Sequence, residues 1–151
     1  MGSTDDAIRA GVNGLESFDF GVTPHTIPPE LGLARVAIVT TAGLRPDGVG
    51  VWTHGQSFVV LDGRDRALTL AHVSPNFDRV GIAADLNVVY PIDRLDELAA
   101  SGVIGSVAPR HFSFMGAQPD HTLETIRLDT GPAVAKMLRD DGVDVVVLTP
   151  V

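Results

Sequence analysis

The chain has 151 residues, 44% hydrophobic and 20% charged, with a formal net charge of −8 and no cysteine. That length suits one compact domain with a sizeable core, and the acidic balance argues against a nucleic-acid partner, whose phosphates it would repel. The lack of cysteine excludes disulfides, cysteine-ligated metals and a thiol nucleophile within these residues, and no apolar run approaches the about 18 residues that a membrane span needs.

The opening stretch MGSTDDAIRAGV lacks the basic and apolar segments of a secretory signal, so a cytoplasmic location with no membrane partner is expected. Residues 1–33 include TPHTIPPELG and scatter Gly, Pro, Asn and Asp irregularly. They read as an extended N-terminal arm ahead of a domain over 34–151. In ARVAIVTTAGL, the β-branched run Val36–Val39 predicts a strand, and Thr40, Thr41 and Gly43 predict the small-residue turn found at the carboxyl end of an α/β strand.

The next segment, RPDGVGVWTHGQ, is rich in glycine but fits neither common phosphate-binding spacing, so it and His54 read as a plain loop. SFVVLD and ALTLAHV then predict two short strands, hairpin-like across the turn GRDR. NFDRVGIAADLN has helical or turn character, with Asp85 and Asn87 as turn residues, and VVYP is a brief apolar run. A clearer helix follows in IDRLDELAASG, with Asp93 near its start, Leu95 and Leu98 on one face and Gly102 as its stop. PAVAKMLRDDG repeats the logic with Val134, Met137, Leu138 and Gly142, and VDVVVLTPV reads as a buried strand. This alternation predicts a single α/β domain built on an open three-layer sheet, mostly parallel with some mixed strands.

Ligands in such sheets gather beyond the carboxyl ends of the strands. That rule nominates TTAGL, AHVSPNFD and APRHFSFMG, and with them Thr40, Thr41, His72, Ser74, Asp78, Arg110, His111 and Ser113. His72 and Asp78 suit a base and its orienting carboxylate, or two metal ligands if His111 joins them; alternatively, His72 is satisfied by a backbone group and Asp78 caps a turn. Arg110 offers a planar fork for a substrate carboxylate or for a structural ion pair, with Phe112, Phe114 and Met115 then filling the core.

VTTAGL, NFDRVGIAADLNVVYPIDRLDELAASGVIGSVAPRHFSFMGA and LRDDGVDVVVLTPV together resemble the selenoprotein B family of glycine, betaine, sarcosine and D-proline reductases, from about Ala34 onward. The resemblance implies reductive cleavage of a carbon–nitrogen bond by a selenolate or thiolate, often with a partner subunit that carries a pyruvoyl group. It places that selenocysteine or cysteine in a Cys-x-x-Cys-like motif directly after a strand like DGVDVVVLTPV, beyond Val151. The 151 residues are therefore expected to be the N-terminal part of a reductase subunit, cut short where a UGA codon is read as stop, and inactive alone.

Its partners are expected to be a small amino-acid-like substrate and either a protein subunit or a second copy. A crevice lined by Thr40, Thr41, Asp78, Arg110 and Ser113, with His72 or His111 as proton donor and no metal, is the corresponding expectation for the site. A binding or scaffold subunit and one half of a split enzyme are the alternatives. An apolar flank is expected where the last strand lacks cover.

Overall fold

The computed structural model describes residues 4–14, 21, 26–48, 57–74, 79–118 and 120–151. In chain order its elements begin with α1 (Thr4–Asn13), β1 (Arg35–Thr40), β2 (Leu44–Pro46), β3 (Phe58–Asp62), β4 (Leu68–Leu70) and α2 (Val80–Ala84). They continue with α3 (Ile92–Ala100), β5 (Ser106–Val107), β6 (Arg110–Phe114), α4 (Asp120–Thr125), α5 (Gly131–Asp140) and β7 (Val145–Thr149).

β1 is the axis of the sheet, as its continuous apolar run predicts. Along one edge it pairs in parallel with β7, from Val36 opposite Val145 to Thr40 opposite Thr149. Along the other it pairs in parallel first with β5, at Arg35 and Val36, and then with β6, at Val39 and Thr40. β3 lies antiparallel on the far side of β6, with Phe58 opposite Phe114 and Asp62 opposite Arg110.

Side-chain alternation then sorts the strands into two faces. Val36, Ile38 and Leu61 face Ile82, Tyr90, Ile92 and Leu95, which come from α2, α3 and the turn between them. Ala37, Phe112 and Phe114 face Val134 and Leu138 of α5. Helices thus cover both faces, giving the expected three-layer α/β arrangement; each large side chain fully buried in these layers contributes roughly 1.5–3 kcal/mol. Gly102 (φ 74°) and Gly142 (φ 67°) end α3 and α5 in the left-handed conformation foreseen for helix stops.

Four local features differ from the sequence reading. SFVVLD and ALTLAHV do supply strands, but β3 joins the main sheet while β4 pairs with β2, Leu70 opposite Leu44, in a separate antiparallel pair. The reason lies in long-range contacts: Phe58 packs on Phe112 and Phe114 at 5.9 and 5.8 Å, and Arg66 of the intervening turn bonds Asp93 and Asp96 of α3 at 2.7 Å each. PRHFSFMG, taken as a loop, is mostly the inner strand β6. A helix, α1, occupies part of the arm expected to be extended. Finally, the helical turns before α5 widen into a π segment, Ile126–Thr130. Pro132 has no N–H to continue an α-helical ladder, and a Cβ on Gly131 would lie 2.5 Å from the Ile126 carbonyl, so the backbone is held tight at this junction.

Candidate functional site at the carboxyl end of β1

The chain leaves β1 through Thr41, and two segments, the end of β7 and the turn after β6, converge on that residue. Its N–H donates to Thr149 O (3.1 Å), its carbonyl accepts from Gly116 N–H (2.8 Å), and its hydroxyl accepts from Val151 N–H (2.8 Å). Thr40 is fully buried beside it: its hydroxyl accepts from Ala42 N–H (3.1 Å) and donates to Thr149 O (3.3 Å). The two threonines therefore bind β7 and the turn after β6 to the end of β1, as short hydroxyl side chains at strand ends can.

His72 closes this end from the side of β4. It is 4% exposed, its Nδ1 accepts from Ser74 N–H (3.1 Å), and the Arg79 guanidinium donates to the carbonyls of His72 (2.8 Å) and Ser74 (2.9 Å), pinning the loop. With Nδ1 accepting, the neutral ring carries its proton on Nε2. Burial, and then the Arg79 cation, lower the imidazole pKa, so His72 is neutral at pH 7.

Gly116 is what lets these groups meet. A Cβ there would lie 2.7 Å from His72 Nε2, 2.7 Å from Val151 O and 2.8 Å from Thr41 O, so one methyl group would collide with all three. The following residue, Ala117, has φ 52°, a conformation costly for a side chain with a Cβ and of the kind that clusters at functional sites. An apolar groove of about 540 Å³ opens beside this turn and runs between β1, β7 and α5.

The other nominated residues stand elsewhere. His111 is fully buried, with Ile38 N–H donating to its Nδ1 at 2.9 Å and its ring edge-on to Tyr90 at 5.5 Å. It fills the interval between β5 and β6 where β1 has no ladder partner. Burial, reinforced by the Arg66 cation, pushes its pKa down to about 4 against a small opposing pull from the Ala108 carbonyl and Asp62. Ser113, on the same face of β6, accepts from Leu44 N–H at 2.7 Å. Arg110 sits at the opposite, amino end of the sheet, where its guanidinium grips Asp141 through two bonds of 2.8 and 2.7 Å. Asp78 and His54 lie outside the described residues.

Thus Thr40, Thr41 and His72 are brought together, while His111, Ser113 and Arg110 hold strands in place. Gly116, Ala117 and Arg79 are site residues that the sequence reading missed. The only signal for the first two was the small pair in FMGAQP, which nothing local distinguishes from an ordinary turn. Among the described residues no group of three or more His, Cys, Asp or Glu is placed to hold a metal ion, and no helix is long and apolar enough to cross a membrane.

Comparison with known proteins bears on this arrangement. The sequence profile of the glycine/sarcosine/betaine reductase selenoprotein B family matches residues 16–151. The chain is similar to D-proline reductase subunit gamma of Acetoanaerobium sticklandii, 33% identical over 147 residues, covering 91% of this chain and 59% of that protein. It is also similar to sarcosine reductase complex component B subunit beta of Peptoclostridium acidaminophilum, 29% identical over 136 residues, covering 85% of this chain and 30% of that protein. A third relative is glycine reductase complex component B subunit gamma of Carboxydothermus hydrogenoformans, 28% identical over 142 residues, covering 89% and 32%. The chain thus spans between about a third and three fifths of the relatives it matches. No solved structure matches it.

Proposed function

The chain belongs to the glycine/sarcosine/betaine reductase selenoprotein B family, and from that membership we propose that it forms part of a reductase subunit for reductive carbon–nitrogen cleavage. Its substrate class is a small amino acid or N-methylated relative, of the glycine, sarcosine, betaine or D-proline kind. The observation that carries the reading is the family match over residues 16–151; the convergence of His72, Thr41 and Gly116 at the carboxyl end of β1 supports it.

All four substrates pair a cationic nitrogen with a carboxylate. The carbonyl oxygen of Thr41 is a dipole suited to the cation, and the His72 Nε2–H is suited to the carboxylate. A nitrogen that is already cationic leaves as the neutral amine without a further proton. The part for a neutral His72 is therefore hydrogen bonding rather than proton delivery. A selenolate or thiolate from outside these 151 residues, which contain no cysteine, supplies the soft nucleophile, and a pyruvoyl group belongs to a partner subunit. Within this chain, the near-complete burial of His72 keeps bulk water from its ring.

The test is reconstitution of a dithiol-driven reductase complex with and without this chain, following release of the amine from each of the four substrates. Amine release that depends on the chain is expected, and a complex equally active without it refutes the proposal. The absence of cysteine favours one alternative, a scaffold subunit. His72→Gln separates the two: it lowers turnover in the first reading and leaves it unchanged in the second.

A further inference from the structure

His72, Val73 and Ser74 follow β4 closely in the chain, and only the first of them is buried. Val73 is 73% exposed, so burial of an apolar side chain at the middle of the turn does not fix its shape. Two sets of hydrogen bonds do. The Ser74 N–H donates to Nδ1 of His72 at 3.1 Å, a side chain accepting from the backbone two residues on, as aspartate and asparagine do in Asx turns. One nitrogen of Arg79, Nη2, donates to the carbonyls of both His72 and Ser74, at 2.8 and 2.9 Å. Because both carbonyls end on a single nitrogen, the backbone between them curls around it, and the curl carries the Ser74 N–H back to the ring of His72.

The helix that Arg79 introduces does not account for an arginine at this position. Arg79 stands at the N-cap of α2, where Ser, Thr, Asp or Asn are favoured; its side chain makes no capping bond, and a cation is disfavoured at a helix N-terminus. What the position supplies is an anchor. Ile82 of α2 belongs with Leu44, Val89 and Tyr90 to one buried core, and Ala83 N–H donates to the Arg79 carbonyl at 2.9 Å. The guanidinium thus ties the turn to a packed element. Its charge acts in the same sense as its bonds. A neutral ring can accept at Nδ1, whereas an imidazolium donates from both nitrogens and would lose the Ser74 N–H. Burial, and then the Arg79 cation, keep the ring neutral at pH 7.

We propose that Arg79 is a positioning residue for His72: by gathering the carbonyls of His72 and Ser74 on one nitrogen, it aims the Ser74 N–H at Nδ1 and so fixes the imidazole proton on Nε2, beside Gly116. It acts through the turn, on the atom that the proposed function assigns to the substrate carboxylate. The inference rests on that function only for the use made of the Nε2 proton, and the tautomer is read without turnover.

Long-range nitrogen NMR of the imidazole rings separates the Nε2–H, Nδ1–H and imidazolium forms in the lone chain. At pH 7 the parent His72 should show the Nε2–H form alone, and a ring protonated on Nδ1 overturns the proposal whatever the variants do. Arg79→Met keeps the apolar stem and removes the donors and the charge. Its His72 should average between the two neutral forms and titrate closer to the ordinary 6.5, while the His111 signals stay in place. The Ser74 amide should exchange at least about tenfold faster. Arg79→Lys, which keeps one charged nitrogen, should restore the Nε2–H form and most of the Ser74 protection. An Arg79→Met chain with unchanged His72 tautomer and Ser74 exchange, or an Arg79→Lys chain as mixed as Arg79→Met, overturns the proposal. So does movement of the His111 signals together with those of His72, since Arg79 then holds more than the turn. In the reconstituted reductase complex, Arg79→Met should lower kcat/KM for amine release at least about fivefold. A lost tautomer with unchanged amine release leaves Arg79 as the positioning residue and refutes instead the part given to His72.

Discussion

Replacing His111 with Phe keeps a ring of similar size against Tyr90 and removes the Nδ1 acceptor that takes the Ile38 N–H at 2.9 Å. The stranded N–H is buried in the middle of the sheet, and leaving such a donor unpaired costs about 1–3 kcal/mol. For a chain of this size that corresponds to a fall in melting temperature of roughly 2–12 °C. A second signature separates this from generic damage. Folding holds the His111 pKa near 4, below its ordinary value of 6.5. The unfolded chain therefore binds more protons over that interval, and the contribution of the neutral ring is present above about pH 6.5 and lost as the pH falls through about 4. Two and a half pH units correspond to at most about 3.5 kcal/mol. Phe cannot titrate, so its deficit at pH 7.5 should shrink toward pH 4. Urea unfolding of both chains at half-unit steps from pH 4 to 7.5 measures this. Equal stability at pH 7.5, or parallel pH profiles, refutes the assignment of His111 as a ladder partner.

Gly116→Ala places a methyl group against two carbonyl oxygens and His72 Nε2; it should cost about 1–3 kcal/mol and move the His72 imidazole NMR signals, while leaving those of His111 in place. Ala117→Gly relieves a left-handed residue and should raise stability by about 0.5–1 kcal/mol in thermal unfolding, with lower reductase turnover if the strained turn positions His72. Asp141→Asn removes the carboxylate that Arg110 holds below the usual carboxylate range. The contribution of that carboxylate is present above the ordinary Asp pKa and disappears as the pH falls through the lowered value, so the variant should be less stable at pH 7 and converge with the parent in acid unfolding titrations.

The elements legible in the sequence are those whose signal is local. The β-branched apolar run of β1, the four-residue apolar run of β7, and the apolar face and glycine stop of α5 need no partner to be read as strands and a helix. A run of apolar residues does not say what lies beside it, however: β7, read as a buried strand, is an edge strand among the described residues, with Leu148 71% exposed. β6 was hidden because Arg110, His111 and Ser113 look polar. Yet strand alternation puts Phe112 and Phe114 on one face and His111 and Ser113 on the other, where His111 Nδ1 and the Ser113 hydroxyl accept from the N–H groups of Ile38 and Leu44, more than sixty residues earlier. No window of neighbouring residues contains those donors. The same applies to the supposed hairpin, since turn chemistry favours pairing of adjacent strands while three phenylalanines bring β3 to β6 instead. At the site, Thr40, Thr41 and His72 were accessible through the rule that loops after strands carry chemistry. Gly116 was not, because its importance is the absence of an atom in a place known only from the packing.

The position of β1 at the centre of the sheet also sets an order of events during synthesis. Its bonds to β7 link residues about 110 positions apart, as between Arg35 and Asp144 or Thr41 and Val151. At ribosomal rates of about 5–20 residues per second, β1 must wait roughly 5–20 seconds before that edge can form. For the first part of that interval, until β5 and β6 emerge about 70 residues after β1, Val36, Ala37, Ile38 and Val39 are an apolar segment with no parallel neighbour in place, and afterwards the β7 side alone stays open. The nascent chain is thus most exposed to aggregation long before its last strand is made. A holding chaperone that recognises short apolar stretches would find its target near residue 36 rather than at β7.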